Sequence, residues 1–155
     1  MEKADQRDAT SAVVADILLV EDDPTDADLV LRALKKCGFA HRVEHVSNGA
    51  EALEYIAGTT LFAQKNPAAM PKFILLDLNL GKLGGLHVLR QLKTDELTKS
   101  IPIIVLTSSK LAIELVESYK FGVNSYVIKP PDGEKFTQVV ASIGHYWLAI
   151  NEPPP

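Results

Sequence analysis

Three short apolar runs stand out along the chain: Ile17-Leu18-Leu19-Val20, Phe73-Ile74-Leu75-Leu76 and Ile101 to Leu106. Each is nearly continuous rather than alternating, the pattern of a strand buried on both faces of a parallel sheet. Arg42–Val46 and Ser125–Ile128 are weaker strand candidates. Between these runs apolar positions return at helical spacing over about 24–37, 48–57, 84–93, 110–121 and 133–150. A strand–helix unit repeated five times predicts an α/β fold, an open parallel sheet with helices on both faces.

Local signals sharpen several boundaries. Asp23 is placed to cap the first helix, with Pro24 at its first position and Asp26 in its first turn. Gly38 is placed to end it. The stretch Thr59–Lys72, with Asn66-Pro67 and Met70-Pro71, reads as the one sizeable loop. Residues 1–14 are polar without a period and read as a flexible leader. A single domain is expected over 15–150, with 151–155 as a tail.

Composition narrows the function classes. The chain has 155 residues, 16 Lys and Arg against 20 Asp and Glu, and a net charge of −4. A basic nucleic-acid stripe is not expected from that balance. Hydrophobic residues at 46% are enough for a core and exclude global disorder. The single cysteine, Cys37, allows no internal disulfide and reads as a small core residue. No uncharged apolar run reaches the roughly 18 residues of a membrane span. The first residues carry both charge signs without a signal peptide's apolar segment, so a cytoplasmic location is expected. His41, His45, His87 and His145 show no metal-ligand spacing with Cys37, and no phosphate-binding glycine motif occurs.

Chemistry in an open α/β sheet collects beyond the carboxyl ends of the strands. Glu21, Asp22 and Asp23 follow the first strand, Asp77 and Asn79 the third, Thr107 to Ser109 the fourth, and Lys129-Pro130 the fifth. Singly, each has a plain reading: a helix cap, a strand-end hydroxyl, a solvated lysine. Together they converge on one sheet edge, and Asp77 is flanked by apolar residues that disfavour an unpaired charge. Carboxylates gathered together repel unless protonated or bridged by a cation, and an all-oxygen set suits Mg²⁺. The set fits acceptance of a phosphoryl group on Asp77, with Lys129 and Thr107 on its equatorial oxygens. Asp22 and Asp77 would hold the ion, with the Asn79 backbone carbonyl, and with Glu21 acting through water.

With Glu21-Asp22, Asp77, Thr107 and Lys129-Pro130 in order on successive elements, the sequence resembles the receiver domain of two-component response regulators. The resemblance spans about 15–150. It implies a flavodoxin-like sheet of order 2-1-3-4-5, an aspartyl phosphate received from a partner kinase, and a cis peptide at Lys129-Pro130. It also implies that Tyr126 is the switch aromatic, moving inward as Thr107 is drawn toward the phosphate; the competing reading is a static strand aromatic. Further segments resemble the small regulators paired with bacterial phytochrome kinases: Glu21-Asp22-Asp23-Pro24, Ile74 to Leu80, Leu106 to Lys110, Val123 to Pro130, and Tyr146-Trp147-Leu148. A phytochrome histidine kinase is therefore the expected partner. Gly81 and Gly84 depart from the family pattern and are expected to loosen the loop after Asp77.

Only Asn151–Pro155 follow the last helix, so output is expected through the receiver's own surface. Phe136, Val140, Ile143, Trp147 and Ile150 fall at helical spacing to cover the sheet. Val139, Ser142, Tyr146 and Ala149 form an adjoining uncharged face, expected to bury itself in a homodimer together with residues of 110–128. Two other functions compete. An aspartate-nucleophile phosphohydrolase would need an acid where Asn79 stands. A pseudo-receiver, binding partners without phosphate, would have no use for the complete set of Glu21, Asp22, Asp77, Thr107 and Lys129.

Overall fold

The structure is a computed structural model, which describes residues 15–39, 42–65, 69–81 and 83–154. The expected leader, 1–14, lies outside the described residues. Five parallel strands form one sheet in the order β2-β1-β3-β4-β5: β1 (Ile17–Val20), β2 (Val43–Val46), β3 (Phe73–Leu76), β4 (Ile103–Thr107) and β5 (Ser125–Ile128). The connecting helices are α1 (Pro24–Lys36), α2 (Gly49–Ala63), α3 (Gly85–Thr94), α4 (Ala112–Lys120) and α5 (Gly133–His145). A single π-helical turn, Tyr146–Ile150, follows α5.

The apolar runs divide by strand periodicity between two cores. Leu18, Val20, Ile74, Leu76 and Val105 face Ala52 and Ile56 of α2 and Val88, Leu89 and Leu92 of α3. Ile17, Leu19, Phe73, Leu75, Ile104 and Leu106 face α1 and α5 on the other side, through Val30, Leu34, Phe136, Val140 and Ile143. Burying both faces is what made the runs continuous. α1 begins as expected: the Asp23 carboxylate accepts from the backbone N–H groups of Thr25 and Asp26, and Pro24 occupies the first turn. Gly38 ends it at φ +83°, a left-handed conformation that costs glycine little.

Several expectations are corrected. α2 runs six residues beyond 57, through Gly58 and into the expected loop, because Thr59 and Thr60 donate their hydroxyls back to the Ile56 carbonyl and Thr59 is buried. Asn66 and Pro67 lie outside the described residues. β4 begins at Ile103 rather than Ile101, since Pro102 has no N–H to give the ladder, although its carbonyl still accepts from Ile74. α4 begins at Ala112 rather than 110. Cys37 is exposed at the end of α1, on its solvent side, and is not a core residue. Trp147 is half-buried and packs against the core shared with Phe136, Val140 and Ile143 as expected, but Ile150 is 59% exposed, since it closes the π-helical turn, where the regular helical spacing no longer holds. No described peptide bond is cis, Lys129–Pro130 included; trans is the lower-energy form of such a bond by about 0.5–1 kcal/mol. Among the described residues no helix is long and apolar enough to cross a membrane.

Candidate functional site: an acidic cleft at the strand tips

Parallel register brings the candidate residues together. Val20 pairs with Leu76, so Glu21 and Asp77 emerge side by side, and the Asp77 N–H donates to the Val20 carbonyl at 3.1 Å. On the other flank Thr107 pairs with Ile128, and the Lys129 N–H donates to the Thr107 carbonyl at 2.8 Å. The result is a cleft of about 450 Å³ bordered by Asp22, Asp26, Asp77, Asn79, Ser108 and Lys129.

Lys129 is the electrostatic centre. Its buried Nζ donates to Glu21 Oε1 at 2.7 Å, Asp26 Oδ2 at 2.7 Å and Asp77 Oδ2 at 3.1 Å. Burial works against its charge, but the bonds to Asp26 and Glu21 outweigh that cost and hold the ammonium above the ordinary lysine range. One ammonium does not neutralise three carboxylates. Glu21 carries the excess: burial pushes its carboxyl up to about 7, with Asp77 adding to the rise and Lys129 opposing it. The second oxygen of Asp77, Oδ1, accepts from the Asn79 N–H at 3.1 Å, which fixes the carboxylate plane. Glu21 is fixed likewise: its Oε2 accepts from the Asp23 N–H, and its backbone carbonyl accepts from His45 Nε2.

The loop after Asp77 is not loose at its far end. A Cβ at Gly85 would stand 2.3 Å from the Asp77 carbonyl oxygen and 2.6 Å from Leu78 Cα, so only glycine lets α3 start this close. The Gly85 N–H donates to the Leu78 carbonyl at 3.0 Å. Gly81, at φ +71°, does adopt a conformation that disfavours other residues, and Gly84 is the N-terminal flank of α3.

Thr107 is fully buried, and its hydroxyl oxygen accepts the Ser109 N–H at 3.3 Å. Tyr126 is half-buried and donates its hydroxyl to the Ser109 carbonyl at 3.2 Å. Burial pushes the Tyr126 phenol up, Ser109 opposes this, and Glu114 and Asp77 add to it. Ser109 also donates its hydroxyl to the Glu114 carboxylate of α4. Thus Thr107, Ser109, Glu114 and Tyr126 form one polar chain leading out of the cleft.

Glu21, Asp22 and Asp77 each bring one carboxylate oxygen within 4.8 Å of the others. Three hard oxygen donors in a site of excess negative charge fit a hard divalent cation. Asp22 is exposed, whereas Glu21 is buried against Lys129 and Asp23, so of the two it is Asp22 that faces the cleft. Sequence reasoning missed Asp26, taken there only as a first-turn acid, and missed Glu114 and the part played by Ser109. The only signal available for Asp26 was its place in the first turn of α1, directly after the strand-tip acids Glu21 and Asp22.

Residues 17–141 match the response regulator receiver domain. The chain belongs to that family. It is a two-component signalling protein rather than an enzyme. It is similar to "Probable methanogenesis regulatory protein FilR2" of Methanothrix harundinacea (strain 6Ac), at 39% identity over 89% of this chain and 86% of that protein. It is 33% identical to the response regulator Rcp1 of Synechocystis, over 85% of this chain and 88% of that protein. The Mn²⁺-bound structure of Rcp1 superposes with a TM-score of 0.76, covering 90% of this chain and 98% of that one. The phosphorylated cyanobacterial phytochrome response regulator RcpA gives a TM-score of 0.78 at 35% identity, covering 90% and 97%. The sheet order and the relationship to phytochrome response regulators are as the family resemblance implied.

Proposed function

We propose that this receiver domain accepts a phosphoryl group on Asp77 from the phosphohistidine of a sensor histidine kinase, and that the kinase is a phytochrome. One observation carries the reading: Asp77 is almost wholly buried, yet its carboxylate borders an open cleft, with an ammonium at 3.1 Å and two further carboxylates beside it. An Asp77 oxygen forms the new P–O bond as the donor's P–N bond breaks, and the leaving imidazole keeps the electron pair and takes up a proton. Lys129 neutralises one phosphoryl oxygen, and the Thr107 hydroxyl bonds another after releasing the Ser109 N–H. Asp22 and Asp77 would hold Mg²⁺, with the Asn79 backbone carbonyl, and Glu21 would take part through water. The ion supplies neutralisation of phosphoryl charge when bound. The phytochrome partner is supported by the likeness to Rcp1 and RcpA.

Drawing Thr107 inward pulls on Ser109 and so on Tyr126 and Glu114, which changes the surface of 110–128. That surface is the proposed output face. Leu111, Ile113, Val116 and Tyr119 of the α4 region are each more than half exposed, and with Tyr146 they suit a homodimer or a partner protein. Acetyl phosphate with Mg²⁺ is expected to label the protein once per chain, and Asp77→Asn to abolish the label. Labelling that survives Asp77→Asn rejects the reading. A monomeric molar mass at high micromolar concentration, with and without phosphorylation, rejects the homodimer.

A further inference from the structure

Lys129 is gripped by three carboxylates, only two of which belong to the group that can share a cation. Glu21, Asp22 and Asp77 converge, and Asp26 stands outside them. Asp26 Oδ2 is nonetheless 2.7 Å from Lys129 Nζ, as near as Glu21 and nearer than Asp77. Its side chain keeps 26% of its exposure, where those of Glu21 and Asp77 keep 2% and 5%.

A divalent ion and the Lys129 ammonium compete for the same oxygens. With the ion held by Asp22 and Asp77, and by Glu21 through water, an ammonium still bonded to Glu21 and Asp77 would face a like charge a few ångströms away in a partly desolvated cleft. Without any partner the ammonium would be buried and uncompensated, which is also costly. Asp26 resolves the conflict, because it already touches Lys129 and lies outside the ion's donor set.

We propose that Asp26 is the seat to which Lys129 withdraws when a divalent cation enters the cleft, so that Asp26 favours cation binding without touching the ion. The inference rests on the cation reading given above and adds to it a positioning residue. It frees an edge of Asp77 while keeping Lys129 charged and close. A first-turn acid that served only the helix dipole would act independently of Lys129.

The test is Mn²⁺ binding, followed by the paramagnetic resonance of the free ion, across a double-mutant cycle. Asp26→Asn is expected to raise the Mn²⁺ Kd by about tenfold, and in a Lys129→Gln background by less than about threefold, the residue of a screened charge. Lys129→Gln alone is expected to tighten binding, since it removes the competitor. Asp26→Ser is a second charge removal that keeps a helix-start residue, and circular dichroism checks that each variant is folded. Equal factors in the two backgrounds overturn the inference and leave the cation reading standing. Absence of saturable Mn²⁺ binding to the unmodified protein overturns both.

Discussion

The helices on the two sides of the acidic cleft are attached to the sheet in different ways. α1 and α5 bury Ala27, Val30, Ala33, Leu34, Phe136, Val140 and Ile143 against the strands, and α1 carries Asp26 to the cleft on that firm base. α4 buries one residue, Ser118, whose hydroxyl finds no hydrogen-bond partner among the described residues. Its apolar side chains point outward instead, Ile113 at 69% and Val116 at 61% exposure. What ties α4 to the cleft is polar: Glu114 to Ser109, and Ser109 to Thr107 and Tyr126. A helix with little burial and a few hydrogen bonds opens at low cost, which is the property a switching element needs. The difference teaches that charge is held in place by packing on one flank and is free to be read out on the other.

The largest expected effect tests the firm flank at its polar centre. Lys129→Ala leaves Glu21, Asp26 and Asp77 uncompensated and is expected to cost about 3–5 kcal/mol in urea unfolding at pH 7.5. The loss should shrink near pH 5, where the Glu21 carboxyl, raised by burial, holds its proton, and shrink also with Mg²⁺. Next, Leu34→Ala removes a fully buried side chain from between α1 and the sheet, and is expected to cost about 2–5 kcal/mol in the same assay.

A smaller effect follows from Glu21. Its folded carboxyl titrates near 7 against an ordinary 4.5, so between those values the folded state holds a proton that the unfolded chain has lost. Stability from this group is therefore present at low pH and is lost as pH rises through the window. Glu21→Gln cannot lose that proton, so without divalent cation its stability relative to the unmodified protein should improve by about 1–3 kcal/mol from pH 4.5 to pH 8. A constant difference across that range would show Glu21 to be ionised throughout. The smallest effect belongs to the loose flank: Val116→Ala should stay within about 0.5 kcal/mol of the unmodified protein. A cost as large as that of Leu34→Ala would erase the contrast between the flanks.

The legible parts of this protein were those written in local pattern. Continuous apolar runs marked β1, β3 and β4, because a strand buried on both faces has no polar side to show. Asp23-Pro24 and Gly38 marked both ends of α1 through chemistry confined to one turn. The strand-tip rule then grouped Glu21, Asp22, Asp77, Thr107 and Lys129 without any coordinates. Less legible were the features that depend on what lies opposite. Thr59 and Thr60 looked like the start of a loop, and continue α2 because Thr59 is buried. Ile150 fitted the helical stripe by spacing, yet it is exposed at the end of the π-helical turn, while Trp147 keeps its contact with the core.

By itself the sequence determined which groups exist, in what order, and on which kind of element each sits, since periodicity and capping act over a few residues. The tertiary structure alone decided which groups touch. Asp26 and Lys129 are 103 residues apart, and nothing in either neighbourhood announces the other. Their 2.7 Å bond exists because packing sets the first turn of α1 beside the tip of β5, and electrostatics between charges depends on distance in space rather than along the chain.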